Sequence, residues 1–370
     1  MGWAIAKRAG FVNRVTGMTK RRQIVEIART QILKALCGLR RNKAVGSLTN
    51  PIVARIILEM AQTGIGTDEC LELGCLPVPV HFYSPIPDLK DLEQRKVWDR
   101  RSGLLGIDFR PQEQEALLLQ LGKNYGQECR WPEQPTNRPF EFHTHNGCFG
   151  FGCAAGLHCM IRHLKPQRII EVGSGFSSLV ISSAIRLNSD ESSQNCDYTI
   201  VDPYPRDDHV PGTLPGLTRL IRDRVELLSP SFFDQLAQND ILFIDSSHVS
   251  KIGSDVNFLI LDVLPRLAPG VAVHFHDIDL PYEYPKVYAT NPTFRMFWTE
   301  AYLLQAFLTH NDRWEILLGM AYLMKERINA FCSAFPYFDL KRNWANSGSF
   351  WIRRKTDLRH SFRSSEKGEP

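Results

Sequence analysis

At 370 residues, 43% apolar and 23% charged, the chain has room for one large domain with appendages, or for two domains, and its composition is that of a globular protein. No apolar run approaches the roughly 18 residues that span a bilayer, and the N-terminus, broken by Lys7 and Arg8, is too short in apolar length for a secretion signal. The net charge of +4 is unevenly spread: residues 1–50 hold eleven Lys and Arg against one acid, Glu26, so +10 there leaves −6 for the remainder.

In chain order, residues 21–39 read as an amphipathic helix. Ile24, Ile27, Ala28, Ile32, Ala35 and Leu36 fall near one face, and Arg22, Arg29 and Lys34 lie mostly elsewhere. Such a basic helix suits docking on its own body or on a second subunit of a homo-oligomer, weak contact with a membrane surface through residues 20–41, or RNA. The absence of an aromatic stacking motif and the net acidity of the body argue against nucleic acid.

A second helix is expected over 51–63 and an irregular junction over 68–87. Helices over 113–121 and 154–163 flank a Pro-rich loop (131–137) and a glycine-dense patch (146–152). From there strands and helices alternate. Strands are expected at 168–172, 198–202, 224–228, 241–245 and 271–276, and helices at 176–188, 214–222, 231–237 and 254–266. A helix over 293–309 and two final strands, beginning near Trp314 and Ser349, complete the pattern. Short apolar runs separated by helical patterns predict a parallel sheet buried on both faces. The fold class is therefore α/β, a doubly wound, seven-stranded, mostly parallel sheet, and residues 1–80 form a helical basic extension. The main domain covers 81–353 with its core at 140–353, and 354–370 is a flexible tail. Nine cysteines without a C-x-x-C pair read as reduced thiols in a cytoplasmic protein, peripheral to a membrane if the basic arm binds one.

The segment Glu171-Val-Gly-Ser-Gly-Phe-Ser-Ser joins an apolar run to a helix start. A strand, a tight glycine turn and a helix N-terminus, in that order, present backbone N–H groups to a ligand. Asp202 ends the next apolar run, and an acid at the tip of a second strand grips ribose hydroxyls. Together they describe a pocket for an adenosine-bearing cofactor. Ser178 stands where the nicotinamide-dinucleotide motif G-x-G-x-x-G needs its third glycine.

Glu171-x-Gly-x-Gly, Asp202, Asp245 after the fourth strand and the late strand pair resemble the class I S-adenosylmethionine-dependent methyltransferases, over about residues 80–353. His81-Phe-Tyr-Ser-Pro-Ile-Pro, Val273-His-Phe-His-Asp-Ile with Pro281-Tyr-Glu-Tyr-Pro, and Ala301-Tyr-Leu-Leu-Gln-Ala-Phe-Leu look like a bacterial group associated with glycan building blocks. The resemblance implies a Rossmann-like methyltransferase fold and S-adenosyl-L-methionine as cofactor. On it, Gly173 and Gly175 let the backbone approach the methionine portion, Glu171 holds its ammonium or an ordered water, and Asp202 binds the ribose hydroxyls. Ser174, Ser177 and Ser178 supply contacts around the turn, with helix capping the plain alternative for Ser177 and Ser178. Asp245 completes the cofactor-side set.

Methyl transfer from a sulfonium is an in-line displacement, so the protein must align the acceptor and remove its proton. Asp245-Ser-Ser-His248 and His274-Phe-His276-Asp277 end strands expected to lie about 4.8 Å apart, so their tips converge. The layout is similar to metal-dependent sugar O-methyltransferases of macrolide biosynthesis. In those, an acid after the fourth strand and an acidic pair after the fifth hold Mg²⁺, and a His three residues past the first acid is the base. The resemblance makes Asp245 and Asp277 ligands and His248 the base.

His276 departs from the pattern by standing where a carboxylate is expected. Mg²⁺ prefers oxygen and imidazole suits Mn or Zn, which leaves two options open. One is a divalent metal on Asp245, His276 and Asp277. The other is no metal, with His276 or His248 as base and Asp277 orienting it. His274, on the same strand face as His276, reads as a core histidine. Residues 281–285, Arg295, Trp298 and Glu300 are candidates for the acceptor wall, and His143, His145 and Asn146 for a lid.

The expectation is thus an S-adenosylmethionine-dependent methyltransferase acting on a hydroxyl of a sugar-containing small molecule or glycan. The alternatives are a nicotinamide-dependent oxidoreductase, a non-catalytic S-adenosylmethionine- or nucleotide-binding module, and RNA methylation through the arm.

Overall fold

The computed structural model describes residues 43–193, 195–341 and 347–356. The helix expected over 21–39 and the tail beyond 356 lie outside the described residues. The chain divides into two compact units, residues 1–95 and 96–370.

The first unit carries α1 (Lys43–Thr63), α2 (Thr67–Glu72) and α3 (Leu89–Gln94). Gly64 and Gly66, both at positive φ, turn the chain between α1 and α2. The six-residue α2 falls in the stretch read as irregular, because one and a half turns are too short to display a period. Asp88 caps α3 by accepting hydrogen bonds from the N–H groups of Lys90 and Asp91.

The second unit is built on strands β1 (Arg168–Val172), β2 (Asp197–Val201), β3 (Leu217–Ile221), β4 (Ile241–Ile244), β5 (Ala272–Phe275), β6 (Trp314–Gly319) and β7 (Phe350–Arg354). They form one sheet in the order β3-β2-β1-β4-β5-β7-β6. β1 to β5 run parallel, and β7 is antiparallel to both β5 and β6. This is the doubly wound, seven-stranded, Rossmann-like sheet expected from the sequence.

Alternate residues of the central strands feed two apolar layers. Ile169, Ile241, Phe243 and Ala272 pack with α4 (Pro111–Tyr125), α5 (Phe151–Leu164) and α6 (Phe176–Ser192) on one face. Ile170, Leu242, Ile244, Val273 and Phe275 pack with Val256, Leu259 and Val263 on the other. Those last residues belong to a continuous helical stretch made of α7 (Asp255–Asn257), a π-helical turn at Phe258–Val263 and a 3₁₀ turn at Leu264–Arg266.

Three assignments are corrected. The third strand is β3 at Leu217–Ile221, where a helix was expected, and the residues read as that strand hold only a 3₁₀ turn, Val225–Leu227. β3 is an edge strand paired with β2 alone, so Thr218 and Arg219 stand in solvent and the apolar run that marks a buried strand is missing. Leu214, Leu217 and Ile221 then fall at helical spacing by coincidence. The helix expected over 231–237 is a 3₁₀ turn, Pro230–Gln235. The helix expected over 293–309 begins only at α9 (Glu300–Leu308), and a separate short helix, α8 (Lys286–Thr290), precedes it. Asn291 is extended ahead of Pro292, as the proline ring requires, and its Oδ1 accepts the N–H groups of Thr293 and Phe294 in a local turn.

The strand order reverses between β1 and β4, which opens a crevice at their C-terminal ends. The approach to β7 braces this end of the sheet. Ile278 N–H donates to Gly348 O at 2.8 Å, and a Cβ on Gly348 would lie 2.6 Å from Asp277 Cα.

Candidate active site

β1 ends at Val172 and the chain turns through Gly173 at φ +80°. A Cβ at Gly173 would stand 1.9 Å from the Asp245 carbonyl oxygen, so glycine alone lets the turn lie against the end of β4. Gly173 N–H donates to Val201 O (3.0 Å) and Asp245 N–H to Val172 O (2.9 Å). The N–H and Oγ of Ser174 both donate to Asp202 Oδ2, at 2.8 and 2.7 Å, and Tyr204 N–H donates to Oδ1 at 2.7 Å. Asp202 thereby ties the turn to β2, and Oδ1 keeps a lone pair for a further donor. A Cβ at Gly175 would meet nothing within 4 Å, so the turn faces open space at the start of the 17-residue α6.

Glu171 turns inward instead. It is fully buried, and its carboxyl accepts hydrogen bonds from Ser177 Oγ (2.7 Å), Ser178 Oγ (2.9 Å) and the Tyr198 phenol. Burial pushes its pKa up to about 8 despite these donors, so the group keeps its proton at neutral pH. Ser178 Oγ also accepts Gly175 N–H at 3.1 Å. Glu171, Ser177 and Ser178 therefore brace the turn from behind, and their polar atoms are spent on one another.

Asp245 follows β4, His248 stands three residues on at φ +59°, and Asp277 follows β5 at φ +57°. The loop after Asp245 is held by Ser247, whose N–H and Oγ donate to Asp255 at 2.8 and 2.5 Å. His248 Nε2 lies 3.2 Å from Asp245 Oδ1 and 3.7 Å from Asp277 Oδ2, while Nδ1 lies 2.8 Å from Glu300 Oε2. His276 Nδ1 lies 3.5 and 3.3 Å from the same Asp245 and Asp277 oxygens. The fold thus brings Asp245, His248, His276 and Asp277 to one place.

Burial opposes charge on each histidine, and the carboxylates overcome it. His248 is raised to about 10 against its burial by hydrogen bonds to Asp245 and Glu300. His276 is raised well above its ordinary value, also against burial, by the charges of Asp277 and Asp245. Asp245 is held well below the usual carboxylate range: its burial works against this, but the charge of His276 and the hydrogen bond from His248 prevail.

One atom each from Asp245, His248 and Asp277 lies within 4.8 Å of the others, a spacing that a single ion could bridge. The triad takes His248 where sequence had pointed to His276. Two carboxylates and an imidazole suit Mn, Fe or Zn better than Mg. The His276 ring is instead stacked on Phe149, with centroids 4.9 Å apart.

Glu300, expected only as a wall residue, is the hidden member of the cluster. It is fully buried, and its N–H and that of Thr299 both donate to His248 O, at 3.2 and 2.9 Å. Trp298 packs on the other side of His248, ring centroids 4.4 Å apart, and meets Tyr288 at 4.7 Å and Tyr284 at 5.9 Å. Arg295 is exposed and Asp279 is buried, its carboxyl pushed up to about 6 by burial and by the charge of Asp277.

The loop before α5 roofs the cluster. Asn146 accepts the N–H groups of Cys148 and Phe149 and donates to the carbonyls of His143 and Phe149, which sets Phe149 over His276. His143 meets Phe176 edge-on at 5.3 Å, and His145 is exposed. His274 lies in the core, stacked on Phe243 at 4.3 Å and bonded to Ser349 Oγ at 2.8 Å.

Residues 170–278, which run from β1 past β5, match the model of a family described as a methyltransferase domain. An uncharacterized protein of Archaeoglobus fulgidus is 35% identical over 176 residues, covering 46% of this chain and 78% of its own length. Among solved structures, the SAH-bound methyltransferase PaMTH1 of Podospora anserina aligns with 74% of this chain and 100% of its own. Its TM-score of 0.33 and identity of 15% are too low to bear on function. The chain belongs to the same family as the Archaeoglobus fulgidus protein, and residues 170–278 of its sheet core match the methyltransferase-domain model.

Proposed function

We propose that this protein is an S-adenosylmethionine-dependent methyltransferase that methylates a hydroxyl of a sugar-containing small molecule or glycan, with a divalent cation on Asp245, His248 and Asp277. One juxtaposition carries the reading. The open glycine turn and the imidazole–carboxylate cluster occupy the ends of three hydrogen-bonded neighbours, β1, β4 and β5. The turn suits the cofactor because Gly175 faces empty space at a helix N-terminus and Asp202 retains an acceptor lone pair. The triad suits a cation because its atoms are within one ion's reach and the carboxylates of Asp245, Asp277 and Glu300 outnumber the two imidazoles.

When bound, the cofactor supplies the methyl group and the cation acidifies an acceptor hydroxyl. The chain's own residues do the positioning. Gly173 lets the turn close on Asp245, Glu300 holds His248 by Nδ1, and Nε2 is left facing Asp245 and Asp277. At neutral pH His248 without a cation is an imidazolium with no lone pair to accept a proton, so it is no free base, and a cation must displace its proton to bind. A carboxylate has two oxygens, so Asp277 can hold the cation with one and offer the other to the hydroxyl proton. Trp298 and Tyr288 offer aromatic faces to a sugar ring. The cytoplasmic setting rests on the cysteine pattern of the sequence.

Calorimetric titration with S-adenosylhomocysteine, with and without Mn²⁺, tests the cofactor. Micromolar binding that Asp202→Ala abolishes is expected, and labelled methyl transfer to a panel of glycosides then tests the acceptor. Binding of NAD in its place would overturn the reading.

A further inference from the structure

The sheet has a second charged end. Asn239 leads into β4, Gly270 leads into β5, and Arg353 and Arg354 finish β7, so they meet at the strand ends opposite those that carry Asp245 and Asp277. A cavity of about 340 Å³ opens there, within the range of roughly 300 to 1,000 Å³ that small-molecule sites occupy. Three cations, Arg353, Arg354 and Lys355, line it against one carboxylate, Glu315. That carboxylate is already committed: its Oε1 accepts Arg353 Nε and Nη2 at 2.7 and 2.6 Å, and its Oε2 holds Arg110. Arg354 Nη1 donates to the carbonyls of Pro265 and Leu267, which carry no full charge. Arg354 and Lys355 are thus left without a counter-charge among the described residues. The side chains of Gln238, Asn239 and Thr356, on the same wall, have no hydrogen-bond partner among them either. Gly270, at φ +85°, keeps part of the wall as bare backbone, since a Cβ there would lie 2.7 Å from Gln238 Cγ.

We propose that this cavity binds a small anion of the phosphate class, carrying at least two negative charges, at the end of the sheet away from the imidazole–carboxylate cluster. Charge selects this ligand. The lining holds an excess of two positive charges, which repels a cation and which a single carboxylate leaves half unmatched. An apolar ligand would leave the amides of Gln238 and Asn239 and the Thr356 hydroxyl unpaired. A tetrahedral oxyanion meets both demands: the Arg354 guanidinium offers a fork of donors and the Lys355 ammonium a compact charge, with the amides and hydroxyl as neutral donors. The bound anion would join the entries to β4 and β5 to the end of β7, so its binding adds to the stability of the fold.

Calorimetric titration of the EDTA-treated full chain with sodium pyrophosphate at low ionic strength tests this, with sodium chloride at matched ionic strength as the control. Sub-millimolar binding and a raised melting temperature are expected with pyrophosphate alone. Lys355→Gln should weaken binding about tenfold, and Lys355→Glu at least roughly a hundredfold. Without the anion both variants should melt at the wild-type temperature, because the Lys355 side chain has no partner among the described residues to lose. Absence of binding would overturn the proposal, as would a stabilisation that sodium chloride reproduces. So would binding that Lys355→Glu leaves intact, which would put the anion elsewhere, such as on the imidazolium of His248.

Discussion

Glu171 and His248 are buried ionisable groups held in opposite states, and each makes a separate prediction. The folded pKa of Glu171, about 8, lies above its ordinary 4.5. Its protonated form is the stabilising one, so the contribution is whole below about pH 4 and is lost as pH rises towards 8. Glu171→Gln should remove a slope of roughly 1.4 kcal/mol per pH unit over that interval. Urea unfolding at pH 5, 6.5 and 8 measures it, and an unchanged slope would assign the effect to another group. For His248, Glu300→Gln should weaken Mn²⁺ binding about 10- to 100-fold without unfolding the chain, by loosening the hold on Nδ1. Asp245, His248, His276 and Asp277 are legible in sequence because two short motifs carry them to adjacent strand tips. Glu300 is not, since 52 residues separate it from His248 and only the fold joins them. Glu171 shows the converse limit: the motif spells an acid, but that it turns inward depends on Tyr198 of β2.

At the scale of the element, the glycine turn separates folding from binding. Gly173→Ala combines a positive φ with a contact of 1.9 Å to backbone, so it should cost at least about 3 kcal/mol and displace Asp245. Gly175→Ala meets nothing within 4 Å, so it should leave the melting temperature within a few degrees of wild type. It should nevertheless weaken S-adenosylhomocysteine by tenfold or more, because the added methyl enters the space proposed for the ligand. Normal binding by Gly175→Ala would show that the cofactor lies elsewhere. Interior strands were readable from their apolar runs, as Ile241–Ile244 illustrates, because both faces are covered. β3 was misread because an edge strand has polar residues where water reaches it, and α9 was placed too early because His248, not local propensity, holds Thr299 and Glu300 out of the preceding turn.

Across the whole molecule, the cluster makes stability depend on pH and metal together. Without a cation, the stabilisation from raising His248 to about 10 is complete below its ordinary 6.5 and is lost as pH climbs through 10. Metal binding must displace that proton, so Mn²⁺ affinity should rise about tenfold per pH unit from 7 to 9, with proton release in calorimetry. A flat affinity would remove His248 from the ligand set. The assembly of this site also has an order in time. Asp277 is braced by Gly348, and β5 is flanked by β7, so the imidazole–carboxylate cluster is completed by a strand that follows it in the chain. A nascent chain that has emerged as far as residue 320 already holds Gly173, Asp245, His248, Asp277 and Glu300, yet it lacks the strand that seats them. The site is therefore completed only when β7 pairs, and until then the β5 edge is open to wrong partners.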